Sequence, residues 1–200
     1  ATGLILISIV TVQQVLRTAR AQAEDSTLNQ VKLISDTAAS LDESSRAYTD
    51  RLFSVFNSTL NAGFSQDEPS GALLHGGTAL AGRFNEVDQF ASSTGGVATV
   101  FAFKDDDFKR ITTSLKNEKG ERALGTLLDR QSAAYAAITS GKAYTGRALL
   151  FGRAYMTHYE PIKNDAGKTV GILFIGYDLD AFEAAMNRMS ESAKFFEHGG

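Results

Sequence analysis

Apolar residues recur every three or four positions over a long stretch near the start of the chain. Residues 12–60 contain neither proline nor glycine, so nothing in this stretch interrupts a helix. One face carries a seam in alternating steps of three and four residues, formed by Val31, Ile34, Ala38, Leu41, Ser45, Tyr48, Leu52 and Val55. Such a seam packs a helix against its own domain, against the same helix in a second copy, or against both. The pattern predicts a long N-terminal helix over 13–62.

The hydrophobic pattern changes to a period of two after Gly95-Gly96. Five runs with strand character follow, at 99–103, 108–115, 143–152, 153–163 and 168–178. Strands that succeed one another through short turns form an antiparallel sheet, so an α+β fold is predicted. Residues 127–139 are predicted to be a short helix. The Gly-rich stretch 71–98 is predicted to be irregular, with a short strand near 72–74 and a turn at 76–77.

Both ends of the chain carry further apolar residues. A second seam predicts a C-terminal helix over 179–200 and consists of Leu179, Phe182, Met186, Met189, Ala193 and Phe196. The run at 4–12 is apolar but short, since a membrane-spanning helix needs about 20 residues. We expect residues 1–12 to be the end of a truncated transmembrane helix. The tail of a signal peptide, cleaved near Ala21-Gln22-Ala23, and an ordinary buried segment are the alternatives.

Composition argues against several classes of protein. The net charge is −3 and both signs are mixed along the chain, which disfavours a nucleic-acid-binding face. The chain has no cysteine and only three widely spaced histidines, and it contains no recognisable nucleophile or zinc motif. The acidic run 105–107 has the character of a solvated turn and lacks the ligand spacing of a calcium loop. The sequence therefore predicts a non-catalytic protein with no metal or cofactor.

Basic and hydroxyl side chains cluster in the segment "DFKRITTSLKNEKGERALGT", residues 107–126. If side chains alternate along the strand, Arg110, Thr112 and Ser114 share one face. An arginine fork matches a carboxylate, and its burial without a counter-charge is costly. The segment therefore predicts a pocket for a small anion, with backbone N–H groups near Gly125-Thr126 as further donors.

The predicted ligand-binding set is Arg110, Thr112, Arg122, Tyr144, Tyr155, Phe101 and Phe103. The hydroxyls complete the polar shell, and the phenylalanines, with Phe151, form walls that exclude water. The alternative is that either arginine pairs with an acid of the fold, such as Glu121, Asp129 or Asp178. Alternation alone does not decide between a ligand site and an internal ion pair.

The region from about 96 to 178 resembles a known family. Its matching stretches are "GGVATVF", "DDFKRITTSLKNEKGERALGTLLD", "YTGRALLFGRAYMTHYEPIKN" and "GKTVGILFIGYD". They are similar to single Cache domains of the combined Cache type 3/type 2 kind, which are extracytoplasmic sensor modules of bacterial chemoreceptors and some sensor kinases. The resemblance implies a PAS-like five-stranded antiparallel sheet, formed within 63–178, on the long N-terminal helix. It also implies a ligand site on one side of the sheet and a C-terminal signalling helix.

The resemblance further implies a role and a location. We expect a methyl-accepting chemotaxis receptor in a bacterial inner membrane, with this domain periplasmic or extracellular. The expected ligand is a short carboxylate, and the expected partners are a second copy, through the N-terminal helices, and the membrane, through the flanking helices. A sensor domain of a histidine kinase or cyclase, and a dimerisation module with no ligand, are the alternatives.

Overall fold

The computed structural model describes the backbone at residues 2–60, 63–67, 70–181 and 184, and side chains at 14 and from 17 onward within these ranges. Helix α1 spans Thr2–Thr59, which confirms the long N-terminal helix. The chain divides into two units, Ala1–Ser44 and Ser45–Gly200. No helix among the described residues has a stretch long and apolar enough to cross a membrane.

Five antiparallel strands form the main sheet of the second unit, as predicted. They are β4 (Val97–Lys104), β5 (Asp107–Thr113), β6 (Tyr144–Leu150), β7 (Arg153–Lys163) and β8 (Thr169–Asp178). Their order across the sheet is β5-β4-β8-β7-β6, so the last strand in sequence lies at the centre. Strand β8 is buried over most of its length, which explains its nearly continuous apolar sequence.

The sheet is covered on both faces, and each face has its own hydrophobic cluster. The first cluster joins the end of α1, through Leu52, Phe53 and Phe56, to Val100 and Ile175 of the sheet. The second joins sheet residues such as Phe101, Tyr159 and Phe174 to Leu128 and Ile138. Adjacent strand residues such as Val100 and Phe101 therefore face opposite clusters, as strand geometry requires.

The segment 71–98 is more regular than the sequence indicates. A small sheet contains β1 (Phe64–Asp67), β2 (Ala72–His75) and β3 (Thr78–Ala79), and helix α2 spans Asn85–Thr94. The prediction of an irregular stretch is therefore wrong, although the short strand near 72–74 is confirmed. Helix α2 buries Val87 and Phe90 and ends at Gly95, which has a left-handed φ of 73°. Ten residues with only two large apolar side chains give too weak a periodic signal for prediction.

A β-bulge in β5 changes which side chains face the same way. Phe101 pairs with Arg110, whereas its neighbour Val100 pairs with Thr112, so Ile111 is an extra residue in β5. Side chains directly opposite one another on paired strands point to the same face. Arg110 therefore lies on the Phe101 face and Thr112 on the Val100 face. The prediction that Arg110 and Thr112 share a face is wrong.

The second predicted helix is shorter than expected. Helix α3 spans Ala133–Thr139, and the Ser132 side chain caps it by accepting a hydrogen bond from the Tyr135 backbone N–H. The preceding residues 127–131 are not helical, and Leu128 among them is buried. After β8, residues 179–181 are helical, but nearly all of the second predicted seam lies outside the described residues.

Candidate ligand-binding site

A cavity of about 550 Å³ lies on the face of the sheet opposite α1. Residues of β5, β6 and β7 contribute to it, and residues 126–133 and the turn after β6 complete its lining. The lining residues are Arg110, Thr126, Leu127, Leu128, Asp129, Ser132, Ala133, Tyr144, Arg147, Ala148, Leu149, Leu150, Phe151 and Tyr159. The cavity volume lies within the range typical of small-molecule sites.

Arg110 is the buried charge of this cavity, with only 4% of its surface exposed. Its guanidinium lies over the Phe101 ring, 4.7 Å from the centroid, and 5.9 Å from the Phe151 ring centroid. One terminal nitrogen donates a hydrogen bond to the Thr126 hydroxyl. Two aromatic faces and one hydroxyl stabilise a guanidinium far less than a carboxylate does.

No carboxylate of the described residues forms an ion pair with Arg110, and its Nε–H has no hydrogen-bond partner among them. Burial lowers the pKa of Arg110 to about 10, against a weaker opposing effect from Tyr159. The side chain is therefore still cationic at neutral pH. The fold therefore buries a positive charge that is neither fully solvated nor paired with a carboxylate. An anionic ligand would supply the missing counter-charge.

Tyr159 and Tyr144 supply the phenol groups of the site. Burial raises the pKa of Tyr159 to about 12, although the charge of Arg110 opposes that rise. The phenol is therefore neutral at physiological pH and acts as a hydrogen-bonding group. Tyr144 pairs with Tyr159 across β6 and β7, and its ring lies along its own strand over Gly146. A Cβ at Gly146 would collide with the Tyr144 hydroxyl, so this glycine leaves the space that the phenol occupies.

The turn after β6 places Phe151 beside Arg110. Phe151 has a φ of 48°, in the left-handed region that phenylalanine seldom adopts, and Gly152 follows with a φ of 78°. These two residues reverse the chain into β7 and bring the Phe151 ring to the guanidinium. A left-handed backbone is energetically costly for phenylalanine. The contact of the Phe151 ring with the Arg110 guanidinium helps to explain why this conformation is kept.

Arg122 lies outside the cavity lining and is paired. Its two terminal nitrogens each donate to one oxygen of Asp88 at 2.7 Å, and one of them also donates to the Thr113 carbonyl at 2.7 Å. Its guanidinium lies 4.3 Å from the Phe84 ring centroid. Asp88 raises the pKa of Arg122, and Arg122 lowers the pKa of Asp88. The internal ion pair considered as the alternative is therefore found at Arg122, with an acid from α2.

Four other residues of the predicted set also lie outside the cavity lining, and of these Phe101 lies beneath the Arg110 guanidinium. Thr112 is buried on the opposite face and donates its hydroxyl hydrogen bond to the Arg83 carbonyl. Tyr155 is buried on the Tyr159 face of β7, four residues away, and burial raises its pKa. Phe103 packs on Phe108, with ring centroids 5.0 Å apart. The structure brings together Arg110, Tyr144 and, beneath the guanidinium, Phe101.

The cavity also contains groups that the predicted set omits. Tyr159 and Leu149 are the clearest examples. Tyr159 and Tyr155 lie four residues apart on β7 and therefore face the same side of the sheet. Alternation of side chains along the strand does not distinguish these two positions. The Thr126 hydroxyl is also absent from the predicted set, which assigns only backbone N–H groups to that loop. Among the described residues, no group of histidines and acids is arranged to hold a metal ion.

Comparison with known proteins gives one strong relationship. The model of a family described as "Cache 3/Cache 2 fusion domain" matches residues 13–200. A search of curated protein sequences found no significant match. Among solved structures, the chain is similar to one titled "Structure of an RNA-binding Light-Oxygen-Voltage Receptor", with 17% identity and a TM-score of 0.36. That similarity covers 56% of this chain and 38% of the other, so the chain spans less than half of that receptor's length.

Proposed function

The chain belongs to the family of Cache 3/Cache 2 fusion domains, which are extracellular sensor domains, and we propose that it detects a small organic anion for a bacterial chemoreceptor. The observation that carries the proposal is Arg110, a guanidinium buried in a cavity with no carboxylate partner among the described residues. An anion in the cavity would supply the missing counter-charge. Tyr144 and Tyr159 would bind its remaining oxygens, and Phe101 would close the site from below.

The signal would pass through β7, because neighbouring residues on this strand face opposite sides. Tyr159 lines the cavity, whereas His158 faces α1 and stacks on Phe53 with ring centroids 4.1 Å apart. The His158 Nδ1 also lies 2.9 Å from an Asp50 carboxylate oxygen. A ligand that shifts Tyr159 and its strand therefore acts on the contacts between the sheet and this part of α1. The size of the shift is limited by the ligand's preference for one state over the other.

Strand β8 offers a second route, toward the C-terminus. It lies between β4 and β7 and leads directly into the helical residues 179–181. Phe174 of β8 packs against Tyr159, with ring centroids 4.7 Å apart. In the full-length protein we propose that this helix continues to a second membrane span in the inner membrane, with the sensor domain in the periplasm. A histidine kinase or cyclase remains the alternative output, and the domain organisation of the full-length gene decides between them.

We also propose that the protein pairs with a second copy through α1. Large apolar side chains are exposed on this helix, with Leu28 66%, Val31 59% and Ile34 69% exposed. Val31 and Ile34 belong to the predicted seam. Sedimentation velocity tests the pairing: Ile34→Glu should shift the protein toward monomer, whereas Ser40→Glu, which lies off the seam about a third of a turn away, should not. A monomer at all concentrations in the unmodified chain overturns the proposal.

Thermal unfolding in the presence of anions tests the sensor function. Any ligand that binds only the folded protein, at about 100 times its dissociation constant, adds about 2.7 kcal/mol to the free energy of unfolding. We expect such a shift with organic carboxylates in the unmodified protein and none in Arg110→Met. A folded protein that responds to no organic anion contradicts the proposal and favours a ligand-free dimerisation module.

A further inference from the structure

The buried end of the cavity holds one positive charge. Arg110 is the only lysine or arginine among the fully buried residues that the structure describes, and its Nε–H is unpaired there. The other charged groups of the lining, Asp129 and Arg147, are both solvent-exposed. A second carboxylate on the same ligand would therefore find no second buried cation, and the opposite charges of Asp129 and Arg147 give the outer part of the lining no net positive charge to attract it. This distribution favours a monoanion.

Most of the remaining lining is apolar. It consists of Leu127, Leu128, Ala133, Ala148, Leu149, Leu150 and Phe151. Two of these side chains are unusually open to solvent for their size, since Leu127 is 55% and Leu149 is 76% exposed. They lie on different segments yet border the same cavity. A ligand with an apolar part would cover both of them, and that burial is favourable in proportion to the area removed from water.

The cavity is also larger than a short carboxylate. Its volume of about 550 Å³ corresponds to roughly 18 water molecules at about 30 Å³ each. A two- to four-carbon acid bound at Arg110 would leave most of that space filled with water against leucine side chains. At about one water volume per carbon, a ligand body of roughly six to ten carbons occupies about a third to a half of that space and displaces much more of this water.

We propose that this site selects a monocarboxylate with an apolar body, and that it discriminates against short carboxylates and dicarboxylates. The inference rests on the proposed function, since it concerns the same cavity. Arg110 binds the carboxylate at the closed end. Leu127, Leu149 and Phe151 cover the hydrocarbon part, and the lining offers a second carboxylate no buried cation.

Calorimetric titration with a chain-length series tests the inference. Butyrate, hexanoate and octanoate, with benzoate as the aromatic member, are compared below the concentrations at which octanoate forms micelles. Each buried methylene should strengthen binding about fourfold, so octanoate, with four more methylenes, should bind roughly 250-fold more tightly than butyrate. Octanedioate should bind at least about tenfold more weakly than octanoate, because its second carboxylate loses hydration without gaining a buried cation.

Matched variants separate specific from detergent-like binding. Leu149→Gln should weaken octanoate binding by about three- to tenfold and leave butyrate binding within about twofold. Leu124→Gln is the control, because Leu124 is also exposed, at 43%, but does not line the cavity. Arg110→Met should abolish binding of the whole series, and octanoate binding that survives this change overturns the inference.

The possible failures are distinguishable. If butyrate or octanedioate binds as tightly as octanoate, the inference is wrong and the anion-sensing function stands. If no member of the series and no short or multivalent carboxylate binds to folded protein, the proposed function itself fails.

Discussion

Arg110 and Arg122 lie 12 residues apart but differ in their partners. Arg122 forms a bidentate ion pair with Asp88, whereas Arg110 has no carboxylate partner among the described residues. Arg110 is nonetheless the more deeply buried of the two. A protein selected for stability alone would pair the buried arginine first. The arrangement supports the proposal that Arg110 binds an anionic ligand.

Replacing the two arginines with methionine should have opposite effects on stability. Arg110→Met removes an incompletely compensated buried charge and keeps the hydrocarbon stem. We expect the free energy of unfolding to rise by about 1–3 kcal/mol, since burial that lowers the pKa of Arg110 to about 10 reports a penalty of that order. Chemical denaturation of the ligand-free protein measures the change, and binding of every organic anion should be lost.

Arg122→Met is the matched control for that prediction. It removes a bidentate ion pair, a hydrogen bond to the Thr113 carbonyl and a stacking contact with Phe84. Because Arg122 and Asp88 are partly exposed, we expect a loss of only about 1–2 kcal/mol, with anion binding retained. A destabilised Arg110→Met protein would mean that Arg110 is a structural residue and that the ligand-site assignment is wrong.

The pH dependence of anion binding provides an independent check on Arg110. The ligand requires the cationic guanidinium, whose pKa in the empty protein is about 10. A carboxylate ligand is fully ionised above about pH 6, so its affinity should be constant from pH 6 to 9. Above about pH 10 the affinity should fall, because the empty protein must then take up a proton to bind. Calorimetry across this range measures the profile, and a marked fall between pH 6 and 8 would point to a different group.

The sequence predicted the strands and singled out Arg110, which the structure buries in the cavity, but it did not predict which face the neighbours of Arg110 occupy. The run containing Arg110, Ile111 and Thr112 has no glycine or proline to mark a bulge, and its alternation looks regular. The bulge depends on a distant contact, since the Gly82 backbone N–H donates to the Ile111 carbonyl at 3.1 Å. The pairing of Arg122 with Asp88 is equally non-local, over 34 positions. Contacts of this kind arise from the tertiary fold, and local periodicity does not report them.

Two glycines that face the interior should respond differently to alanine. At Gly171 an added Cβ would lie 2.6 Å from the Phe101 carbonyl oxygen, which is backbone of the neighbouring strand and moves only with the sheet. Gly171→Ala should therefore lower the free energy of unfolding by about 2–4 kcal/mol. At Gly146 the atoms nearest the added Cβ belong to the Tyr144 ring and hydroxyl, which move without any shift of the sheet backbone.

Gly146→Ala should consequently leave stability within about 1 kcal/mol and change ligand affinity instead, because Tyr144 must leave its position in the cavity. Thermal unfolding and calorimetric titration of the two variants distinguish the effects. Unchanged affinity in Gly146→Ala would show that the Tyr144 phenol takes no part in binding.

The contact between β7 and α1 should carry the signal without contributing to ligand affinity. The Asp50 carboxylate accepts a hydrogen bond from the Thr145 hydroxyl at 2.8 Å and lies 2.9 Å from the His158 Nδ1, on the face of the sheet away from the cavity. Asp50→Ala removes both contacts and keeps the stack of His158 on Phe53. We expect a loss of about 1–2 kcal/mol in stability and ligand affinity within about twofold of the unmodified protein.

The signalling effect of Asp50→Ala is measured by hydrogen exchange in the part of α1 that packs on the sheet, residues 45–59. In the unmodified protein, ligand should change the protection of these amides, because Tyr159 and His158 are consecutive residues of one strand. In Asp50→Ala that ligand-dependent change should shrink, whereas Asp42→Ala, in the other unit, should retain it. Because affinity and transmission are read separately, an unchanged response in Asp50→Ala would place the route elsewhere, through β8 and the helical residues that follow it.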